Sequence, residues 1–290
     1  MTKEYGERKR LSKEESKLID DFRLGRIKKS EKRKWIEDAF EDEYGIPYVQ
    51  LTGECEWVDQ SPIWRRIATK KNILVVGDLH APFIRKGYLE HCMRVRDKYR
   101  CNHTIFIGDI VDNHYASFHA TDPDGMGAED ELDYAIEKLD KWHQEFPDAD
   151  VVIGNHDKLV LRKIFKEGIS KRWIRRFSDV LEVPSWQFVE GIEYDNVKYT
   201  HGLKGGAVNG AMTKAKNRGK SLVQGHWHSR SYVRWHVTDN DRIFAMQVGC
   251  GVDEDAYAMA YNEDPMERWI LSCGVVLENG TLPIVEPMKI

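Results

Sequence analysis

Cysteine is scarce and unpatterned in this sequence. Five occur in 290 residues, Cys55, Cys92, Cys101, Cys250 and Cys273; an odd count without C-x-x-C spacing excludes a disulfide framework and a cysteine-built zinc finger, and points to a reducing compartment. Long apolar runs are missing as well. Nothing approaches the length of a bilayer span, and Met1 to Arg10 is too charged to form the apolar core of a secretory signal. The expectation is a soluble, cytoplasmic chain with no membrane partner. A strong charge of one sign is also lacking: the formal net charge of −4 excludes nucleic-acid binding through the overall field but leaves local basic patches open. There is no internal repeat or low-complexity tract.

What is present is a hydrophobic fraction of 41%, enough in a chain of this length to supply the core of one large α/β domain plus an appendage. Residues 1–70 read as a charged helical extension and connector. Leu18, Ile19 and Phe22, then Trp35, Ile36, Ala39 and Phe40, have helical spacing, with Ser30 as an N-cap between two short helices. A helix-turn-helix is the other reading of this mixed-charge segment. Gly45, Pro47, Gly53 and Pro62 mark an irregular connector, with Trp57 and Trp64 as its anchors. The main domain is expected over 71–290.

From Lys71 the chain alternates between strand and helix patterns, which implies an α/β layer structure. Strands are read at Asn72 to Val76, Thr104 to Ile107 and the Val151-Val152-Ile153 run; helices at Tyr88 to Tyr99 and Glu129 to Phe146. A basic helical stretch, Lys158 to Arg176, comes next. The second half is richer in short strands: Gln187 to Val189, Val197 to Thr200, Leu222 to Gln224, Ser231 to His236, Arg242 to Val248 and Ile270 to Leu277.

The chemistry lies at the strand ends. The first strand stops at Gly77-Asp78-Leu79-His80, the second at Gly108-Asp109-Ile110-Val111-Asp112, the third at Gly154-Asn155-His156-Asp157; two later strands stop at Thr200-His201-Gly202 and Gly225-His226-Trp227-His228. Strand ends of an α/β sheet converge at one edge, where ligands bind. Any one of eleven histidines is more often a satisfied surface or core residue, but five such endings in one chain form a set. Asp78, His80, Asp109, Asn155, His201, His226 and His228 mix carboxylate, imidazole and amide, a ligand set for two divalent ions of the manganese, iron, zinc or nickel kind rather than calcium or an iron–sulfur cluster.

In order and spacing these motifs resemble those of the calcineurin-like metallophosphoesterases: D-x-H, G-D-x-x-D, G-N-H-[DE], an isolated His, and G-H-x-H. The resemblance spans Lys71 to Ile290. It implies a four-layer α/β/β/α sandwich with two mixed β-sheets and a two-metal centre, manganese first among the candidate ions. Carried over residue by residue, Asp78, His80, Asp109 and His228 would hold one ion, and Asp109, Asn155, His201 and His226 the other, with Asp109 bridging. Phosphoester hydrolysis needs a nucleophile at neutral pH, charge neutralisation and help for the leaving group, and two divalent ions serve the first two needs. His156, beside a ligand but not itself one, is the candidate to protonate the departing oxygen. Asp112 would orient it, unless it is only a capping carboxylate of its loop.

The protein serine/threonine phosphatases of this superfamily carry arginines around the second and third motifs. Here Asn113-His114 and Ile153 stand at those places and Asp157 replaces Glu, which turns the reading toward the nuclease and phosphodiesterase branches. Lys158, Arg162, Lys163, Lys166, Lys171, Arg172, Arg175 and Arg176 face one acid, Glu167; Lys204, Lys214, Lys216, Arg218 and Lys220 face none in their segment. Both runs follow metal motifs, so Lys163, Arg172, Arg175, Lys214 and Arg218, with His114, are candidate contacts to a nucleic acid or nucleotide substrate; solvated faces are the plainer reading. His119 is a further loop histidine, and Trp173 and Trp227 suit base stacking or rim packing equally. The expected function is hydrolysis of phosphodiester bonds in DNA or RNA. The alternatives are a phosphatase or small-nucleotide phosphodiesterase and, from another class, a non-catalytic metal-binding scaffold.

Overall fold

β2 (Ile73–Val76) is the strand around which the layers assemble. All four of its residues are buried: Ile73 and Val75 point into the space between two sheets, Leu74 and Val76 toward the helices outside. A strand covered on both faces has no polar side, hence its unbroken apolar sequence. The computed structural model describes residues 65–67, 71–117, 125–203, 206, 208–256 and 268–289. The expected N-terminal helices with Ser30, the anchors Trp57 and Trp64, and residues His119 and Lys204 lie outside the described residues.

One six-stranded sheet runs β12 (Leu282–Pro287), β11 (Ser272–Leu277), β2, β3 (His103–Phe106), β4 (Ala149–Val152), β5 (Gln187–Val189). Its last four strands are mutually parallel, and β11 is antiparallel to both β2 and β12. The other sheet, also six-stranded, runs β1 (Arg65–Ile67), β6 (Ile192–Tyr194), β7 (Val197–Thr200), β8 (Ser221–Gln224), β10 (Arg242–Val248), β9 (Ser231–Val237). Here β7, β8 and β10 are parallel, while β6 and β9 run against their inner neighbours. Both sheets are therefore mixed.

Between the sheets Ile73, Val75, Ile105, Ile107 and Val152 meet Tyr194, Tyr199, Val223, Phe244 and Met246. Outside the first sheet, α1 (Tyr88–Tyr99) and α2 (Ala128–Glu145) lay Cys92, Val95, Ala135, Leu139 and Trp142 over Leu74, Val76, Phe106 and Val151. Outside the second, α5 (Gly210–Arg218) sets Ala211 and Ala215 on Leu222, Ile243 and Ala245. Each fully buried Leu, Ile or Phe contributes roughly 1.5–3 kcal/mol. The architecture is the four-layer α/β/β/α sandwich expected.

Three features differ from the sequence reading. The stretch Lys158 to Arg176 is not one helix: α3 (Leu159–Lys166) stops, Gly168 takes a left-handed turn at φ 72°, and a 3-10 turn, Lys171–Trp173, precedes α4 (Phe177–Val180). Glycine alone adopts that backbone freely, so the helix ends there. β12 is a strand although it contains Pro283 and Pro287, because it lies at the sheet edge, where missing N–H groups leave no inner neighbour unpaired. Finally, β1 falls inside the stretch read as connector and pairs in parallel with β6.

Candidate metal centre

The parallel strands deliver their carboxyl ends to one place, and the backbone there turns sharply. His80, Asp109 and His226 sit in the left-handed region at φ 48°, 47° and 74°, a conformation costing a non-glycine residue about 1–3 kcal/mol. The strain is held by bonds between motifs: the N–H groups of Leu79 and His80 both donate to the Asp109 carbonyl, at 3.1 and 2.9 Å. Two motif glycines are required by close approach. A Cβ at Gly154 would collide with the Asp109 carboxylate, and one at Gly225 with that of Asp78.

Asp78, His80 and His228 bring their ligand atoms within 4.8 Å of one another, and so do Asp109, His201 and His226. Asn155 joins the second group, its Oδ1 lying 2.9 Å from His201 Nε2. Asp109 Oδ2 stands between the groups, 3.0 Å from His201 Nε2 and 3.6 Å from His80 Nε2. Asp78, His80, Asp109 and His201 are all at most 2% exposed. In this largely buried cluster Asp78 Oδ1 and His80 Nε2 have no hydrogen-bond partner. Buried polar atoms are almost always satisfied, so two orphans inside a carboxylate–imidazole set fit divalent cations. All seven residues expected as ligands are therefore brought together.

Asp112 is part of this cluster. Its Oδ1 lies 2.5 Å from His80 Nδ1 and 3.1 Å from His156 Nδ1, and its carbonyl is 2.8 Å from the same His156 nitrogen. Its Oδ1 thus faces two imidazoles, and the 3-10 turn after it has no side-chain cap hydrogen bond. The His156 N–H in turn donates to Asp109 Oδ1 at 2.8 Å. Burial alone would depress His156, but the Asp112 hydrogen bond and the charges of Asp109 and Asp112 outweigh it and lift its pKa to about 10. His201 likewise rises to about 9 against its own burial, through Asp109 and Asp78. His226 falls to about 4 under burial and the neighbouring His201. Burial raises the carboxyls of Asp109 and Asp112, yet the imidazoles beside them hold both below the usual range. Without cations, then, Asp109 and Asp78 favour a proton on His201, which a cation held by that imidazole would displace.

The expected substrate contacts scatter. His114 is buried in a 3-10 turn, with Nδ1 3.9 Å from Asp112 Oδ2. Lys163 Nζ donates to the Tyr115 carbonyl at 3.2 Å, which ties α3 to that turn. Arg172, Arg175 and Arg218 are exposed. Lys214 instead turns inward: Nζ donates to the Gly202 carbonyl and to Gln224 Oε1, both at 2.9 Å, and burial together with Arg218 lowers its pKa to about 8.

Other residues support the centre, and of these only Asp157 stood in a sequence motif. Asp157, fully enclosed, accepts from the N–H groups of Gly154, Ile110 and Val111 at 2.7, 2.9 and 3.2 Å, which locks the third motif to the second. Gln224 and Gln247, both 0% exposed, continue the Lys214 contact: Gln224 Nε2 donates to Gln247 Oε1 at 2.8 Å, and Gln247 Nε2 to the Gly225 carbonyl at 2.5 Å. This chain connects the residue after His201 with the residue before His226. Glu131, from α2, accepts from the N–H groups of His114 and Tyr115. For Gln224, Gln247 and Glu131 the only sequence sign was a polar residue inside an apolar strand or helix face.

A family model described as calcineurin-like phosphoesterase matches residues 71–265. The chain belongs to the calcineurin-like phosphoesterase family. The match spans all five strands that end in candidate ligands and both clusters described above. Similar solved structures include Vps29 of Chaetomium thermophilum, 14% identical over 76% of this chain and 97% of that one, with a TM-score of 0.37. They also include vacuolar protein sorting 29 of Cryptosporidium parvum, 11% identical over 76% and 97%, TM-score 0.37, and nuclease MPE of Pseudomonas putida, 15% identical over 79% and 99%, TM-score 0.32. No curated protein matches. Among the described residues, no helix of this calcineurin-like phosphoesterase is long and apolar enough to cross a membrane.

Proposed function

We propose that this chain is a two-metal phosphodiesterase whose substrate is a nucleic acid. The observation that carries the reading is the placement of Asp109 Oδ2 within 3.0 Å of His201 Nε2 and 3.6 Å of His80 Nε2, one carboxylate serving two ligand groups. Asp78, His80, Asp109 and His228 would hold one divalent cation, and Asp109, Asn155, His201 and His226 the other; manganese suits this mixed oxygen and nitrogen set. Bound there, the cations supply Lewis acidity and neutralise charge at the phosphoryl group.

The chain's own contribution is proton control. His156 Nδ1 is engaged by the carbonyl and carboxylate of Asp112, which fixes the proton on Nδ1 and leaves Nε2 to donate to a leaving oxygen. With cations held by the neighbouring ligand set, the carboxylates that raise the affinity of His156 for protons would be partly neutralised, and its pKa would return toward the range useful to a general acid. An intact acid of this kind speaks for catalysis over a scaffold role. The diester preference is supported by Asn113 and Ile153 standing where the protein phosphatases carry arginine, since those arginines grip a monoester dianion. The nucleic-acid preference is supported by the cations of the 158–176 segment.

The test is purified protein with Mn²⁺ against bis-p-nitrophenyl phosphate, p-nitrophenyl phosphate, cyclic nucleotides, and single- and double-stranded DNA and RNA. The expected result is turnover of the diester and of oligonucleotides, abolished by EDTA. Oligonucleotide affinity should also fall with salt, with a log–log slope of about −0.7 per phosphate contact on single strands. Turnover of cyclic nucleotides with oligonucleotides left intact would replace the nuclease reading by a small-nucleotide one, to which the inward turn of Lys214 already lends an observation.

A further inference from the structure

The segment leaving the third motif carries a surface that the buried cluster does not use. α3 ends at Lys166, Gly168 turns the chain, and the 3-10 turn that follows presents Trp173 at 83% exposure, above every other large apolar side chain among the described residues. Ile169, four residues earlier, is 46% exposed. An indole left this open adds almost nothing to the fold, and aromatic side chains are usually hidden. In the same segment Arg162, Lys166 and Arg172 are exposed and form no ion pair among the described residues, whereas Arg176 lies 3.6 Å from Asp179. The segment is not a loose arm: Lys163 Nζ holds the Tyr115 carbonyl at 3.2 Å, three residues past Asp112.

An exposed ring in a segment whose exposed cations form no ion pairs matches a partner with both π-faces and regularly spaced negative charge. A lipid surface fits less well. A helix lying in a membrane interface needs a continuous apolar stripe, and here the helix is eight residues long, is broken at Gly168, and exposes separate apolar side chains between charges. Duplex nucleic acid offers phosphates but keeps its base faces stacked inside. Unpaired strands offer both, and stacking on aromatics plus a cationic track is how single strands are bound without regard to sequence.

We propose that Trp173, with Arg162, Lys166 and Arg172, is a landing surface for single-stranded nucleic acid, the indole stacking on an unpaired base while the cations follow the phosphates. The consequence for the metal centre rests on the phosphodiesterase reading: the strand to be cut would arrive unpaired, so that single strands, overhangs and flaps are preferred over blunt duplex.

The experiment uses the full chain in EDTA, so that binding is read without hydrolysis, and follows fluorescence anisotropy of labelled oligo(dT), of a blunt duplex of equal length, and of phosphatidylserine-containing vesicles. Oligo(dT) is expected to bind more tightly than the duplex. Trp173→Ala should weaken it about tenfold, and Trp173→Phe should keep most of the affinity, because a smaller ring still stacks. Equal oligo(dT) affinity in wild type and Trp173→Ala overturns the proposal, as does tighter binding of duplex or of vesicles. Hydrolysis of bis-p-nitrophenyl phosphate by the wild type in Mn²⁺ reports separately on the parent reading. Oligo(dT) binding through Trp173 without diester turnover removes the phosphodiesterase and leaves the surface; turnover without a Trp173 effect does the reverse.

Discussion

His80 Nδ1 and Asp112 Oδ1 lie 2.5 Å apart with both side chains almost sealed from solvent, and the same oxygen lies 3.1 Å from His156 Nδ1. One carboxylate therefore orients both imidazoles at once. Asp112→Asn keeps the shape and removes the charge, so it should weaken divalent binding by about 10–100-fold, the usual effect of losing an outer partner of a ligating histidine. It should also lower kcat by roughly a hundredfold or more through His156. Calorimetric metal titration and steady-state rates at saturating Mn²⁺ separate the two effects. Unchanged metal affinity would confine Asp112 to the acid.

Asp109→Asn strikes the carboxylate shared by both ligand groups. Both metal positions should empty together, read as a large fall in manganese per chain by elemental analysis, with activity lost in parallel. Wild-type occupancy with full activity would sink the assignment.

With His156 acting as the proposed acid, His156→Gln should retain its metal and lose turnover; a loss of metal would instead make it a ligand together with His80 and Asp112, whose ligand atoms also lie within 4.8 Å of one another. The loss of turnover should be smaller for nitrophenolate leaving groups, which depart without a proton, than for alkoxide ones. An equal loss on both would move His156 to holding the phosphate.

Glu131 supplies a pH signature of the metal-free fold. Burial raises its pKa to about 7, and the charge of Asp112 adds to the rise against the two backbone N–H groups that lower it. A carboxyl whose folded pKa exceeds its unfolded value of about 4.3 binds its proton more tightly when folded, so stability falls as pH rises between those values and is flat above them. Asp157, raised to about 6 chiefly by burial and then by Asp109, titrates in the same window, which makes the difference between wild type and Glu131→Gln the quantity to read. The drop in Tm between pH 5 and pH 7 should shrink by about 2–4 °C in the variant, on the scale for a domain of this size. Parallel curves would remove Glu131 as the cause.

Gln247→Leu breaks the buried chain behind His201 and His226. It leaves Gln224 Nε2 and the Gly225 carbonyl without the contacts they now have, at about 1–3 kcal/mol each. A lower urea midpoint with an unchanged slope is expected, together with weaker binding of one of the two cations. Loss of both cations in equal measure would show only general loosening.

Much of this was legible because the chain states it locally. Asn72 to Val76 and Thr104 to Ile107 each hold an unbroken apolar run, Ile73 to Val76 and Ile105 to Ile107, stopped by glycine and a carboxylate, and the strands lie within a residue of those bounds. α1 and β10 fall where periodicity and alternation put them. Residues whose roles depend on distant partners were not legible. Glu131 reads as an acid on the first turn of an exposed helix, yet it is 2% exposed because it reaches back to the His114 N–H. Lys214 reads as a free cation because its segment holds no acid, but carbonyl and amide oxygens hold it, and a count of charges does not register those. Gln224 and Gln247 look like ordinary strand residues until two strands bring them together.

The pairing of β2 with β11 has a consequence for how the protein is made. β2, which leads to Asp78 and His80, takes β11 as its antiparallel neighbour from Val76 opposite Cys273 to Ile73 opposite Val276. About two hundred residues separate the two strands, so at ordinary rates of synthesis on the order of ten seconds or more pass between their emergence from the ribosome. For that interval one edge of a wholly apolar strand has no partner, which is the arrangement most open to pairing with a neighbouring chain. A nascent chain halted before Ser272 would carry every ligand of the metal centre and still lack the strand that closes its first sheet, so its yield in soluble form should depend on chaperones far more than that of the finished protein.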